Sequence, residues 1–435
     1  MTTPTPATSP PPAVTRGAGP GPARRPGPAP SSGPGAGRSP RPAALTPSVA
    51  DPTSRPRSAR RLVVAALLAA SALLGACGPF GPATAPAPTP GSGAPPAEPP
   101  APAPPPVNPL TGLPMSRPDL LRQRPVLVSI DNHPDARPQA GLTAADLVYE
   151  VPAEGGITRL LALFVTQRPE RVGPVRSSRH YFLDLALEWD AIYVHAGGSP
   201  QHYARIVRTG LDDLDGVRAD PRGGGRRVFT RDARRKMPHN LYASLPVALT
   251  AAEERGWALT APPRPSPFAF RSAGEEPTGE RVDRLVIHWP GWRRGWVRYR
   301  WTGAGYLRET AFGPHVAEET GDPLTPANLL IQLVPARTIA GDAEGRLEVE
   351  LAGEGRLLIA SGGRLREGRW QKASPTAPTR WLEADGRPVR LASGPTWVHL
   401  VPASARIEAS GPPSSQGSGE EPAEGAEGLE GTGGR

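Results

Sequence analysis

RPVLVSIDNHPDARPQAGLTAADLVYEVPAEGGITRLLALF, residues 124–164, carries three short apolar runs set apart by polar turns. The run 126–130 lies between Pro125 and the pair Asp131-Asn132, 147–151 follows Asp146, and 159–165 follows the tight Gly155-Gly156. Short runs rich in Val, Leu and aromatic side chains predict strands, and the largely unbroken apolar character of the first predicts a buried one. Polar groups gather where these strands end. Asp131, Asn132, Arg137 and Gln139 follow the first, Glu150 and Glu154 close the second, and Arg159 opens the third.

Working outward toward the C terminus, Ser177 and Ser178 offer caps for a helix over 180–189, and 191–195 predicts another strand. That strand breaks at Gly197-Gly198-Ser199-Pro200, where Ser199 suits an N-cap and Pro200 the first helical turn. Residues 240–255 predict a helix stopped by Gly256, with His239-Asn240 as its cap or, alternatively, as a further site element. Residues 108–262 therefore predict an α/β unit. A Pro-rich hinge, 263–280, follows. Beyond it the texture changes to short strand-like runs between Gly turns, at 282–289, 296–301, 306–310, 328–334, 347–351, 357–361 and 397–401. Seven of the nine Trp lie there, so 281–408 predicts a β-rich unit packed by aromatics. The expected fold class is α+β.

Outward toward the N terminus, composition takes over. The chain has 435 residues with 50 Gly and 60 Pro, concentrated in a head (1–58), a tether (77–107) and an acidic tail (409–435) that cannot bury enough apolar surface to order themselves. Between head and tether, Arg60-Arg61 precedes LVVAALLAASALLGAC, a charged then apolar segment too short to span a bilayer comfortably. Leu74-Gly75-Ala76-Cys77 resembles the bacterial lipobox. Residues 59–76 are thus expected to be a signal peptide, cut ahead of a lipidated Cys77, with a start at Val49 giving a leader of ordinary length. The tether then favours extended polyproline II and holds the folded part off the membrane. Cys77 is the only cysteine, which excludes an intramolecular disulfide.

The net charge of +9 invites a nucleic-acid partner, but position argues against one. Residues 1–76 hold nine Arg against Asp51 alone, which leaves 41 basic and 40 acidic residues from Cys77 onward. No nucleic acid is expected.

Several separate strings resemble one family. The opening stretch, with GPVRSSRHYF at 173–182 and AIYVHAGGSPQ at 191–201, is similar to the N-terminal part of the YerB-like bacterial lipoproteins. NLLIQLV at 328–334, GRWQK at 368–372 and LASGPTWVHLVP at 391–402 resemble that family's C-terminal part. Departures sit at His133 and in the basic stretch 222–236. The resemblance implies a two-part envelope lipoprotein on the extracytoplasmic face of the cell membrane. It implies no mechanism, because the family is a domain of unknown function.

Chemistry must therefore come from the residues. Asn132, Arg137, Gln139, Arg159, Arg176, Arg179 and Ser199 form an expected ligand-binding group, since Arg forks pair bidentately with phosphate or carboxylate and a helix N-terminus adds positive potential. His195, Glu150, Glu154 and Asp131 are the catalytic candidates, as acid and base. Each also has a structural role open to it: Asp131 capping a turn, Glu154 paired with Arg159, Arg176 with a neighbouring acid, His195 satisfied at a strand end. No nucleophile motif occurs, no His pair has metal-ligand spacing, and no cofactor or metal is expected. Residues 222–236 hold seven basic residues and Asp232, a patch for anionic polymer or lipid heads or else a solvated loop. Trp289, Trp292, Trp296 and Trp301 suit either a sugar platform or strand packing. The first expectation is a binding protein for an anionic glycan, peptidoglycan or phospho-polymer fragment. The alternatives are a hydrolase or transferase on such a polymer, and a scaffold for a membrane partner.

Overall fold

The computed structural model describes residues 106–411. The head, the signal peptide with Cys77, all but the last two residues of the tether and the tail from 412 lie outside the described residues. Among the described residues no helix is long and apolar enough to cross a membrane.

The apolar runs of the opening stretch become β1 (Val126–Asp131), β2 (Leu147–Pro152) and β3 (Thr158–Phe164), with every residue buried. β4 (Ile192–His195) and β5 (Asp213–Asp215) follow. The second half supplies β6 (Glu280–Arg281), β7 (Arg284–His288), β8 (Trp296–Trp301), β9 (Tyr306–Thr310) and β10 (Gly313–Pro314). It continues with β11 (Asn328–Val334), β12 (Gly353–Ser361), β13 (Arg364–Lys372), β14 (Arg380–Glu383), β15 (Thr396–Pro402) and β16 (Arg406–Ser410). The α-helices among the described residues are α1 (Phe182–Glu188), α2 (Pro200–Thr209) and α3 (Leu245–Glu254), so the molecule is β-rich.

Strands from both sides of the expected hinge share one sheet of eleven strands, ordered β6-β13-β12-β11-β15-β2-β3-β1-β4-β5 with β14 beside β13. The join is parallel, Leu147 lying opposite Thr396 and Glu150 opposite His399. A separate α/β unit at the N terminus is therefore not a self-contained sheet: β2 has β3 on one edge and β15 on the other. The hinge itself contributes Ala269–Phe270, paired with Arg390–Leu391.

Alternation assigns the two faces. Val126, Val128 and Ile130 face one core, shared with Ala248 and Ala251 of α3 and with Leu285, Ile287, Val297 and Tyr299 of a five-stranded sheet ordered β10-β9-β8-β7-β16. Leu127, Tyr149 and Leu161 face the other, against Phe182 and Leu183 of α1 and Trp370 and Trp381. A sheet covered on both sides explains strands without a polar alternation.

Local boundaries differ where side chains found other partners. α1 begins later than expected, and neither Ser177 nor Ser178 caps it: the Ser177 hydroxyl accepts from Arg179 and the Ser178 hydroxyl from Tyr193. Ser199 caps α2 as expected, accepting the His202 N–H at 3.2 Å. Residues 240–255 open with a strand, Leu241–Ala243, and Ser244, not His239-Asn240, caps α3. Ala409 and Ser410, expected in the tail, belong to β16, where they pair with Leu285 and Arg284.

Candidate functional site

β1 delivers Asp131 to the end of the sheet, opposite Arg159 of β3. The carboxylate is buried and surrounded by donors. Oδ1 accepts the His133 N–H at 3.1 Å, which is the turn-capping role, and lies 3.5 Å from the Arg159 guanidinium. Oδ2 lies 2.7 Å from His239 Nδ1 and 3.0 Å from Arg176 Nε. Burial alone would raise the Asp131 pKa, but the Arg159 and Arg176 charges hold it below the ordinary carboxylate value. Arg176 is the exposed member: its side chain is 30 % accessible, and its Nε meets Asp131 as an ion pair without an aligned hydrogen bond. Of the two readings of His239, helix cap or further site element, the second fits: it meets Asp131 and caps no helix. It arrives on the loop between Phe229–Arg231 and Leu241–Ala243.

Next to Asp131 the polar groups run inward between the two sheets. Asn132 donates to Glu150 Oε1 at 3.1 Å, as does Thr158 at 2.8 Å. Glu150 meets Arg308 of β9, 2.9 Å from Oε2, and His399 of β15, whose Nδ1 is 3.1 Å from the same oxygen but out of line for a good hydrogen bond. Desolvation would push Glu150 up; Arg308 and His399 reverse it and hold the carboxyl far below its usual range. Arg308 further donates to Tyr299 and to His315 Nδ1 at 2.9 Å, and His315 Nε2 meets Gln139 at 2.6 Å. Gln139 returns to the Asp131 carbonyl at 2.9 Å, closing the circuit. Burial and the adjacent arginines keep His315 well below its ordinary pKa, and burial lowers His399. Arg137 bonds Asn132 and, at 2.8 Å, Thr310; burial beside Arg308 draws its pKa down to about 10.

The expected group is thus only partly assembled. Asp131, Asn132, Arg137, Gln139, Glu150, Arg159 and Arg176 lie in one network. Glu154 instead forms a bidentate pair with Arg179, not the pair with Arg159 that its position suggested. His195 is fully buried, with Nε2 3.0 Å from Asp213 and Nδ1 3.0 Å from the Gly197 carbonyl. Ser199 is committed to its cap. His195 therefore meets neither Glu150, paired with Arg308, nor Glu154, paired with Arg179. Sequence reasoning missed Arg308, Tyr299, His315 and His399. Two signals were present: the alternation of YLRET places Arg308 inward with Tyr306 and Thr310, and His399 interrupts an apolar run.

Two family matches divide the folded region. The N-terminal domain of a protein of unknown function, DUF3048, matches residues 110–258, and the DUF3048 C-terminal domain matches 287–398. YerB of Bacillus subtilis (strain 168), a protein with the word lipoprotein in its name, is 34% identical over 300 residues, 68% of this chain and 86% of its own length. The chain belongs to the DUF3048 family. The crystal structure of YerB from Bacillus subtilis superposes with a TM-score of 0.60, covering 69% of this chain and 99% of that one. In this DUF3048 chain the two matched parts meet at the polar circuit: Glu150 comes from the first, Arg308 from the second, and His399 lies one residue beyond it.

Proposed function

We propose that this protein is a lipid-anchored receptor for anionic polymer of the cell envelope, held on the extracytoplasmic face by lipid on Cys77. The anchor rests on the order of charged segment, apolar segment and Leu74-Gly75-Ala76-Cys77, and the lipoprotein name of its relative agrees. One observation carries the binding: among the described residues the Arg176 guanidinium is paired with a single buried carboxylate, Asp131, and its side chain stays 30 % accessible. In the network and at its rim Arg137, Arg159, Arg176, Arg179 and Arg308 outnumber Asp131, Asp135, Glu150 and Glu154 by one, so the site carries a small surplus of positive charge. An incoming phosphate or carboxylate would take the bidentate contact that Arg176 lacks. Anchoring is tested by fractionation: wild type should sediment with membranes and Cys77→Ala should not. For binding, full-length protein in detergent should co-sediment with purified cell-wall sacculi bearing phosphodiester polymer, and Arg176→Ala should weaken this about tenfold, as expected for a charge-assisted pair. Equal retention of both proteins would refute the site.

A further inference from the structure

His133 and His239 are 106 positions apart, which is why sequence spacing gave no sign of a metal site, yet the fold stacks their rings with centroids 4.8 Å apart and planes at 14°. Asp135 sits beside them, and one donor atom from each of the three lies within 4.8 Å of the others. We propose that His133, Asp135 and His239 form a binding site for a divalent transition-metal cation of the zinc type, with Asp131 orienting His239.

The donor set is two imidazoles and a carboxylate, which suits zinc and leaves a position open to solvent. His133 Nδ1 and Asp135 Oδ2 are 3.6 Å apart, close to the ~3.3 Å separation of two donors on one zinc implied by ordinary metal–ligand bonds. Closure requires His133 to turn out of its stack on His239 and to give up the bond its Nδ1 accepts from the Asp135 N–H at 3.2 Å; Asp135 is 73 % and His133 35 % exposed, whereas His239 is 13 % exposed and fixed. An independent observation fixes it. Asp131 Oδ2 lies 2.7 Å from His239 Nδ1, so in the neutral tautomer that donates this hydrogen bond the lone pair is on Nε2. A carboxylate behind a histidine in this way sets the tautomer and strengthens the ligand. Arg159 and Arg176 also touch Asp131, and their charge lowers the affinity that the site can reach.

The test uses untagged full-length chain in detergent, stripped with chelator and titrated calorimetrically with zinc alone, so its result does not depend on anion binding. One equivalent is expected. The double variant His133→Ala/His239→Ala should abolish it, and Asp131→Asn should weaken it roughly 10- to 100-fold. His133→Ala alone, at a half-exposed side chain, guards against misfolding as the cause and should also weaken binding more than tenfold. His288→Ala, on the other sheet, should change nothing. Cobalt should give a visible ligand-field spectrum that the double variant loses. No zinc uptake by wild type, or the same uptake by the double variant, would overturn the proposal.

Discussion

Glu150 keeps its charge in the interior because Arg308 is placed against it, 2.9 Å away with both side chains buried. Removing one member of such a pair strands the other, at a cost of about 3–5 kcal/mol. Arg308→Ala should lower the free energy of unfolding by that amount in urea titrations, while Glu150→Gln/Arg308→Met should lose far less; a loss below about 1 kcal/mol in Arg308→Ala would contradict the pairing. The same residues set a pH dependence. Burial holds His315 and His399 below their ordinary 6.5, and Arg308 with His399 holds Glu150 below 4.5, so at each group the unfolded chain binds more protons. Stability is complete above these values. It should fall as pH drops below about 6.5 and fall again below about 4.5, followed as the urea midpoint; a midpoint that rises on acidification would contradict the assignment.

At the scale of elements, the turn joining β2 to β3 is fixed by what packs on it. Gly156 has φ +73°, and a Cβ there would lie 2.6 Å from the Trp292 backbone N and 2.7 Å from the Pro290 carbonyl. Gly156→Ala should therefore shift the 290–292 loop and destabilise by about 1–3 kcal/mol, read by thermal unfolding and by Trp fluorescence. Legibility followed burial. β1, β3 and β15 announce themselves as apolar runs because both of their faces are covered. β13 did not: of REGRWQK only Glu367 and Arg369 are exposed, but its charges masked the strand. Asp131, Asn132 and Glu150 were legible as polar groups at strand ends. Arg308 and His399 were marked as inward-facing by their strand patterns, but not as partners of Glu150, because that contact depends on which strands neighbour one another. Ser177 misled because its hydroxyl, suited to a cap, was claimed by Arg179.

For the whole molecule, the two DUF3048 parts are halves of one sheet, with β2 between β3 and β15. Separation would strip β2 of an edge and leave Glu150 without Arg308. The described region should thus unfold as a unit, with far-UV dichroism and Trp fluorescence tracing one urea transition; two resolved transitions would show the halves to be independent. The same join gives the site its shape: buried ion pairs on the inside, with Arg176 left at the rim. The most direct test is calorimetric titration of full-length protein with a soluble glycerol-phosphate oligomer at low and high salt, wild type beside Arg176→Ala. Saturable binding that weakens with salt and falls about tenfold in the variant is expected. Binding that is absent, or identical in the two proteins, would contradict the account.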